Sequence, residues 1–341
     1  MIHRLHRLLE APRPWRHLVE EKPRSQLYEV ESEDGVRLVL RRVRPPKVGE
    51  RGEVIMLLHG LGSNHEGFHL PGRSMARWLA RRGHDVWMPE LRGHGGSRVG
   101  RYDWCLDDYL ERDLPAILEG IQTYSGREAL HWVGHSMGGI LLMCYGAMTG
   151  RGPIKSGVAI GSALDLGVGN SGFSSLLKLR PLIEPLVAIP YGSLAHLMAP
   201  TLGKGGLEAV ETFNVWPDNV EAEMVQRLHA RCFHSIPTSL LSHLATAFEE
   251  EGLILGSGFR VEQEIGRNEI PIRLISGSRD MQVTPEAVEH TAEMFKGDAD
   301  LVRCDEAQGL GSHYGHWDLV MGQRAPLEVW PEVADWVERR R

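Results

Sequence analysis

Gly134-His135-Ser136-Met137-Gly138-Gly139 separates two stretches of different character. Before it, Glu128-Ala-Leu-His-Trp-Val133 reads as a buried strand. After it, Gly139-Ile-Leu-Leu-Met-Cys-Tyr-Gly-Ala-Met148 reads as an apolar helix. A strand that reverses directly into a helix needs a tight, strained corner. Glycines at 134 and 138, two positions either side of a serine, remove the side chains that would clash there. The residue left at the apex is Ser136, with its hydroxyl pushed out over the sheet edge.

Strand, G-x-S-x-G and helix together make the pattern of a nucleophile elbow, and from about Gln26 to the C-terminus the chain resembles the α/β-hydrolase superfamily. The resemblance implies an α/β fold: a mostly parallel eight-stranded sheet flanked by helices, with a helical cap inserted after strand 6. It divides the chain into an N-terminal arm (1–25), a first part of the core (26–162), a helical cap or lid (163–267) and a second part of the core (268–341).

The rest of the chain follows this outline. Gln26–Ser32 and Val36–Val43 alternate as strands around Glu33-Asp34-Gly35, and Asp-Gly is a strong hairpin signal. Glu53-Val-Ile-Met-Leu-Leu-His59 is a continuous apolar run, as expected of a strand covered on both faces. It ends in His59-Gly60-Leu61-Gly62. In the superfamily such a turn supplies half of an oxyanion hole, which assigns the backbone N–H of Leu61 to that role and makes His59 a structural residue. Glu90-Leu-Arg92-Gly93-His94-Gly95-Gly-Ser97 is similar to the superfamily's Asp-x-Arg-Gly-His-Gly-x-Ser loop. It departs from that pattern at Glu90, where aspartate is usual, and the departure reads as a packing variation. Leu106–Tyr124 reads as a long helix that Pro115 either kinks or starts.

Between about Ala163 and Arg267 the strand–helix alternation breaks down into proline-punctuated apolar segments, and Val220–His229 and Thr238–Glu250 look helical. Ile270–Asp280 returns to strand and turn. Asp280 sits in Gly277-Ser-Arg-Asp-Met-Gln-Val-Thr-Pro285, a setting like that of the superfamily's catalytic acid, and Thr284-Pro285 starts a helix. Beyond the last strand, Ala299–Cys304, two histidines compete. His316-Trp-Asp-Leu-Val-Met-Gly322 is similar to the C-terminal ends of acid-lipase-like hydrolases and assigns His316 as the base, with His313 as the substitute.

The resemblance therefore implies a serine hydrolase with Ser136, Asp280 and His316 in the chain order the superfamily requires, and backbone amides of Leu61 and Met137 as oxyanion donors. Serine at 136 puts carboxylesterase or lipase first. Thioesterase, amidase, C–C hydrolase and perhydrolase stand behind it, and a non-enzymatic ligand-binding member of the fold is the reading from another class. A small ester, or an acyl-chain lipid under the lid, is the implied partner; no cofactor and no metal are expected.

Composition agrees with a soluble α/β domain. The 341 residues are 42% hydrophobic and 24% charged, with a net charge of -7, which argues against a nucleic-acid partner. No apolar run reaches transmembrane length. The four cysteines form no C-x-x-C pair. Met1-Ile-His-Arg-Leu-His-Arg-Leu-Leu-Glu10 lacks a secretory h-region, so a cytoplasmic location is expected. The arm reads as a short surface helix, with a membrane-surface or homodimer contact as the alternatives.

Overall fold

A computed structural model describes residues 24–46, 52–174 and 185–341. The expected arm lies outside the described residues but for Arg24 and Ser25, as does 175–184 of the proline-rich segment.

Eight strands form one sheet: β1 (Gln26–Glu31), β2 (Arg37–Val43), β3 (Val54–Leu58), β4 (Asp85–Glu90), β5 (Leu130–His135), β6 (Ile154–Ile160), β7 (Ile272–Gly277) and β8 (Ala299–Cys304). Their spatial order is β1-β2-β4-β3-β5-β6-β7-β8. β2 runs antiparallel to both β1 and β4, and the other pairings are parallel. The β1–β2 hairpin turns at Gly35, whose φ of 78° a side chain would resist.

Both faces of the central strands are covered. Met56, Leu58 and Trp132 face one apolar cluster, while Ile55, Leu57 and Val133 face the other. This explains why β3 is an unbroken apolar run rather than an alternating one. Helices α1 (Met75–Arg81), α2 (Leu114–Ser125) and α3 (Met137–Thr149) pack on these faces. α2 continues a helical run that begins at Leu106; Pro115 follows its π-helical turn at Tyr109–Asp113, where its missing N–H leaves the ladder one bond short.

The segment between β6 and β7 carries α4 (Tyr191–Met198), α5 (Ala222–Arg231) and α6 (Thr238–Ala245). Its first part builds a separate apolar cluster from Ala195, Leu202, Val220, Leu228 and Phe233, which takes in Trp317 and Met321. Its second part, through Leu240, Leu244, Leu253, Val261 and Ile265, joins the cluster beneath α3. After β7 come α7 (Pro285–Met294), capped by the Thr284 hydroxyl accepting from Ala287 N, and α8 (Trp330–Glu338).

Register brings four loops to one sheet edge. Leu58 pairs with Gly134, His135 with Ile160, and Ile160 with Ile275. The turns after β3, β5, β6 and β7 therefore leave side by side at the carboxyl ends of parallel strands, where open α/β sheets place ligands.

Candidate active site

Ser136 is the single non-glycine residue with positive φ among the described residues (φ 55°, ψ −124°). Such a conformation costs about 1–3 kcal/mol and persists only where its surroundings impose it. They do so here. A Cβ on Gly134 would lie 2.2 Å from the Gly138 carbonyl oxygen, and one on Gly138 would lie 2.2 Å from that of Leu58. From Leu130 to Cys144 every residue is buried except Ser136, so the corner presents one side chain outward.

The His59-Gly60-Leu61 turn lies against this corner. A Cβ on Gly60 would stand 2.8 Å from Ser136 Cβ and 3.4 Å from its Oγ. Met137 begins α3, so its amide is among those a helix leaves without an internal acceptor. Among the described residues the Leu61 amide has no backbone acceptor either. His59 is wholly committed below the turn: Leu91 N donates to its Nε2 (3.2 Å), so Nδ1 carries the hydrogen and donates to Gly60 O (2.9 Å). Burial lowers its pKa to about 4. His94, lowered by burial to about 3, is likewise an internal scaffold residue bonded to Arg92 O.

Asp280 and His316 meet. Nδ1 of His316 lies 2.7 Å from Asp280 Oδ2, and both side chains are buried. Oδ1 of Asp280 accepts from the amides of Gln282 (2.8 Å) and Val283 (2.9 Å), which leaves Oδ2 to the imidazole. A carboxylate accepts, so Nδ1 carries the proton and Nε2 is left with a lone pair. His313, the competing histidine, lies elsewhere: its Nδ1 is 3.0 Å from Ser278 Oγ and 3.2 Å from Asp305 Oδ1.

The serine corner and this pair converge at Gly161. Ser136 N donates to Ile160 O at 2.9 Å, and the next residue, Gly161 (φ 55°), is where a Cβ would lie 3.2 Å from both Asp280 Oδ2 and His316 Nδ1. From the other side, His135 Nε2 donates to His316 O (3.1 Å), and the two rings are 4.6 Å apart. Burial, followed by the neighbouring His316, holds the His135 pKa well below its ordinary value, so this ring is a neutral spacer.

Three residues in this surround carry roles the sequence does not announce. Asp318, fully buried, accepts from Gly315 N (2.9 Å), Trp216 N (3.0 Å) and Asn219 Nδ2 (3.1 Å). It fixes the residue before His316 and ties that loop to the insertion. Burial raises its pKa to about 7 against the pull of these donors. Ser162 Oγ donates to Ser136 O at 2.8 Å and braces the corner. Glu90 is more than a packing variation. It is buried, sits 2.5 Å from His65 Nδ1 and 3.6 Å from Arg41, and accepts from Gly96 N (2.8 Å). The longer side chain reaches partners from three other segments. The position of Asp318, two residues past His316, is the one signal the sequence holds for any of these.

Comparison with known proteins agrees with the architecture. The family described as alpha/beta hydrolase fold matches residues 53–188. Gastric triacylglycerol lipase of Rattus norvegicus is 36% identical over 129 residues, covering 33% of this chain and 32% of that protein. Lipase member M of Homo sapiens is 35% identical over 127 residues, covering 33% and 30%. The chain thus spans about a third of the length of these curated relatives. Among solved structures, a monoacylglycerol lipase from Paleococcus ferrophilus superposes with a TM-score of 0.62 at 18% identity, covering 93% of this chain and all of that one. A thermophilic esterase from Thermogutta terrifontis gives 0.62 at 15%, covering 92% and 98%. The chain has the α/β-hydrolase fold, and over about a third of its length it is similar in sequence to lipases.

Proposed function

We propose that the protein hydrolyses carboxylic esters through an acyl-enzyme intermediate. The observation that carries this reading is the buried Asp280–His316 hydrogen bond, converging with the strained Ser136 corner at Gly161. A serine hydroxyl is a poor nucleophile unaided. In the proposed mechanism His316 Nε2 takes the Ser136 proton as Oγ attacks the ester carbonyl, then returns it to the leaving alcohol. Asp280 holds the Nδ1–H tautomer and stabilises the imidazolium. The amides of Leu61 and Met137 receive the charge that builds on the carbonyl oxygen, each worth roughly 3–4 kcal/mol in the transition state. Water then repeats the sequence on the acyl-enzyme.

The similarity to lipases makes acyl glycerides the substrate class to test first. The 163–267 segment is proposed as the cap over the acyl site. Its exposed Leu186, Val187, Leu194 and Leu197 offer the apolar surface such a chain would meet. A cytoplasmic location belongs to the same proposal and is supported by Cys144 and Cys304, both buried as free thiols. Among the described residues, no helix is long and apolar enough to cross a membrane.

The test is covalent labelling. A fluorophosphonate probe is expected to label the wild type at Ser136 alone, and Ser136→Ala to lower ester turnover about 10⁶-fold while the fold persists. Labelling at another serine, or a Ser136→Ala protein that keeps its turnover, rejects the assignment. A chain-length series of p-nitrophenyl esters then separates the two substrate readings. A maximum at long acyl chains supports the acyl-binding cap, and one at acetyl or butyryl removes it.

A further inference from the structure

Away from the serine corner, three side chains from distant parts of the chain meet with the donor set of a transition-metal site. Cys105 and Asp107 flank the start of the helical segment after β4, and His243 comes from α6 of the insertion. Cys105 Sγ, Asp107 Oδ2 and one ring nitrogen of His243 lie within 4.8 Å of one another, and all three residues are half-buried. We propose that these residues bind one Zn²⁺, with water in the fourth position.

The spacing fits the ion. Tetrahedral Zn²⁺ with bonds of about 2.3 Å to sulfur and about 2.0 Å to nitrogen and oxygen requires a sulfur–oxygen edge of about 3.5 Å and a nitrogen–oxygen edge of about 3.3 Å. The structure has Cys105 Sγ 3.7 Å and His243 Nδ1 3.4 Å from Asp107 Oδ2. The remaining edge, between Cys105 Sγ and His243, is within 4.8 Å.

Two further features favour a ligand here over a plain ion pair. His243 Nδ1 is shielded from solvent yet makes no hydrogen bond, although it faces Asp107. A lone pair in that position is what a metal uses, and an unsatisfied buried nitrogen is otherwise costly. Asp107 is also oriented from behind: its Oδ2 accepts from Gly256 N (2.8 Å) and its Oδ1 from Ser257 N (2.9 Å), the outer hydrogen bonding that metal-binding carboxylates require. Gly256 is a glycine for the same reason, since a Cβ there would lie 2.8 Å from His243 Cε1 and 3.2 Å from Asp107 Oδ2. Thiolate, imidazole and carboxylate together select zinc over magnesium or calcium, which take oxygen ligands alone.

The ion clamps the core segment at 105–107 to α6 and to the 256–257 turn. Binding releases the thiol proton of Cys105 and leaves His243 neutral. The proposed site is independent of the ester-hydrolase proposal.

The experiment is zinc titration of the full chain, followed by metal analysis after dialysis. One Zn²⁺ per chain is expected, with Cys105→Ser and His243→Gln each weakening binding by about 100-fold or more. Far-UV circular dichroism of both variants reports whether they fold. Co²⁺ substitution gives a second readout that does not depend on affinity: a thiolate-to-cobalt absorption band present in the wild type and missing in Cys105→Ser. Zinc should also raise the melting temperature of the wild type but not of the variants. No stoichiometric binding, or binding that both folded variants retain with the wild-type affinity, overturns the proposal, as does a cobalt complex without the thiolate band.

Discussion

Gly60→Ala is the substitution that most directly probes the joint between the turn after β3 and the serine corner. The added methyl would stand 2.8 Å from Ser136 Cβ, 3.0 Å from His135 O and 3.4 Å from Ser136 Oγ. Ordinary carbon–carbon contact is about 3.5–4.0 Å, so the turn must retreat by roughly 0.7–1.2 Å. The partners cannot yield: one is the side chain of a residue already strained at φ 55°, the other a carbonyl of a central strand. The turn therefore moves outward and carries the Leu61 amide with it. Loss of one oxyanion donor costs about 2.7–4 kcal/mol, or 10²–10³ in kcat. The overpacking itself costs about 1–3 kcal/mol of stability. The assay is steady-state hydrolysis of the best p-nitrophenyl ester, with urea unfolding and fluorophosphonate labelling alongside. Expected are a kcat lower by at least about 100-fold, a KM changed little and a fold retained. A folded Gly60→Ala enzyme with kcat within about threefold of wild type would show that the Leu61 amide does not serve the transition state.

Other substitutions test the remaining parts. Asp280→Asn should lower kcat about 10⁴-fold with the protein still folded, because an amide facing Nδ1 favours the wrong imidazole tautomer; near-normal kcat would remove Asp280 from the mechanism. Asp318→Asn should lower kcat by about 10–100-fold and stability by about 1–3 kcal/mol, since one of its three donors would face an NH₂ group; stability loss at unchanged kcat would make it purely structural. Acid should weaken the fold. His59, His131 and His229, lowered by burial to about 4, and His94, lowered to about 3, are neutral inside. The stability they contribute is present above the unfolded value near 6.5 and is lost as pH falls towards 4, about 2 kcal/mol each by pH 5. Asp113 and Asp318, raised by burial to about 6 and about 7, act in the opposite sense and offset roughly half of that. A lower urea midpoint at pH 5 than at pH 7.5 is expected, and an equal or higher one would contradict the buried-histidine account.

What could be read from the sequence was what local geometry determines. The corner at 134–138, the turn at 59–61 and the Thr284-Pro285 helix start are each specified by a few consecutive residues, and each stands where the spacing predicts. The boundaries of α3 move by only a residue or two from expectation, because Ser136 itself is the cap. The choice of Asp280's partner was not local. His313 and His316 are three residues apart, and only the path of the loop sends one to Asp280 and the other to Ser278. The partners of Glu90 and the proposed Cys105–Asp107–His243 group were opaque for the same reason: they come from segments tens to over a hundred residues away. The two halves of the insertion share one composition, so nothing in it tells that Leu240 and Ile265 enter the main core while Leu228 and Phe233 do not.

The insertion is also bonded to the loops that carry Leu61, Asp280 and His316, and this constrains how any lid could open. His234 N donates to Gly62 O (2.7 Å), and Asn64 Nδ2 donates to Arg231 O (3.0 Å), which ties the turn after β3 to the end of α5. Gln282 Nε2 donates to Phe213 O (3.0 Å) beside Asp280. Trp317 N donates to Asn214 O (2.9 Å), and Trp216 N to Asp318, on either side of the His316 loop. A cap that swung away as one body would break all five bonds and expose the apolar cluster that Leu228 and Phe233 share with Trp317. At about 1 kcal/mol net for each hydrogen bond, and about 1.5–3 kcal/mol for each large apolar side chain uncovered, that opening costs on the order of 10 kcal/mol. Such a state would be too rare to serve turnover, and it would disorder the very loops that hold Asp280, His316 and Leu61. Residues 213–219 and 231–234 are therefore held in place against these loops, and any opening of the insertion has to come from parts outside them.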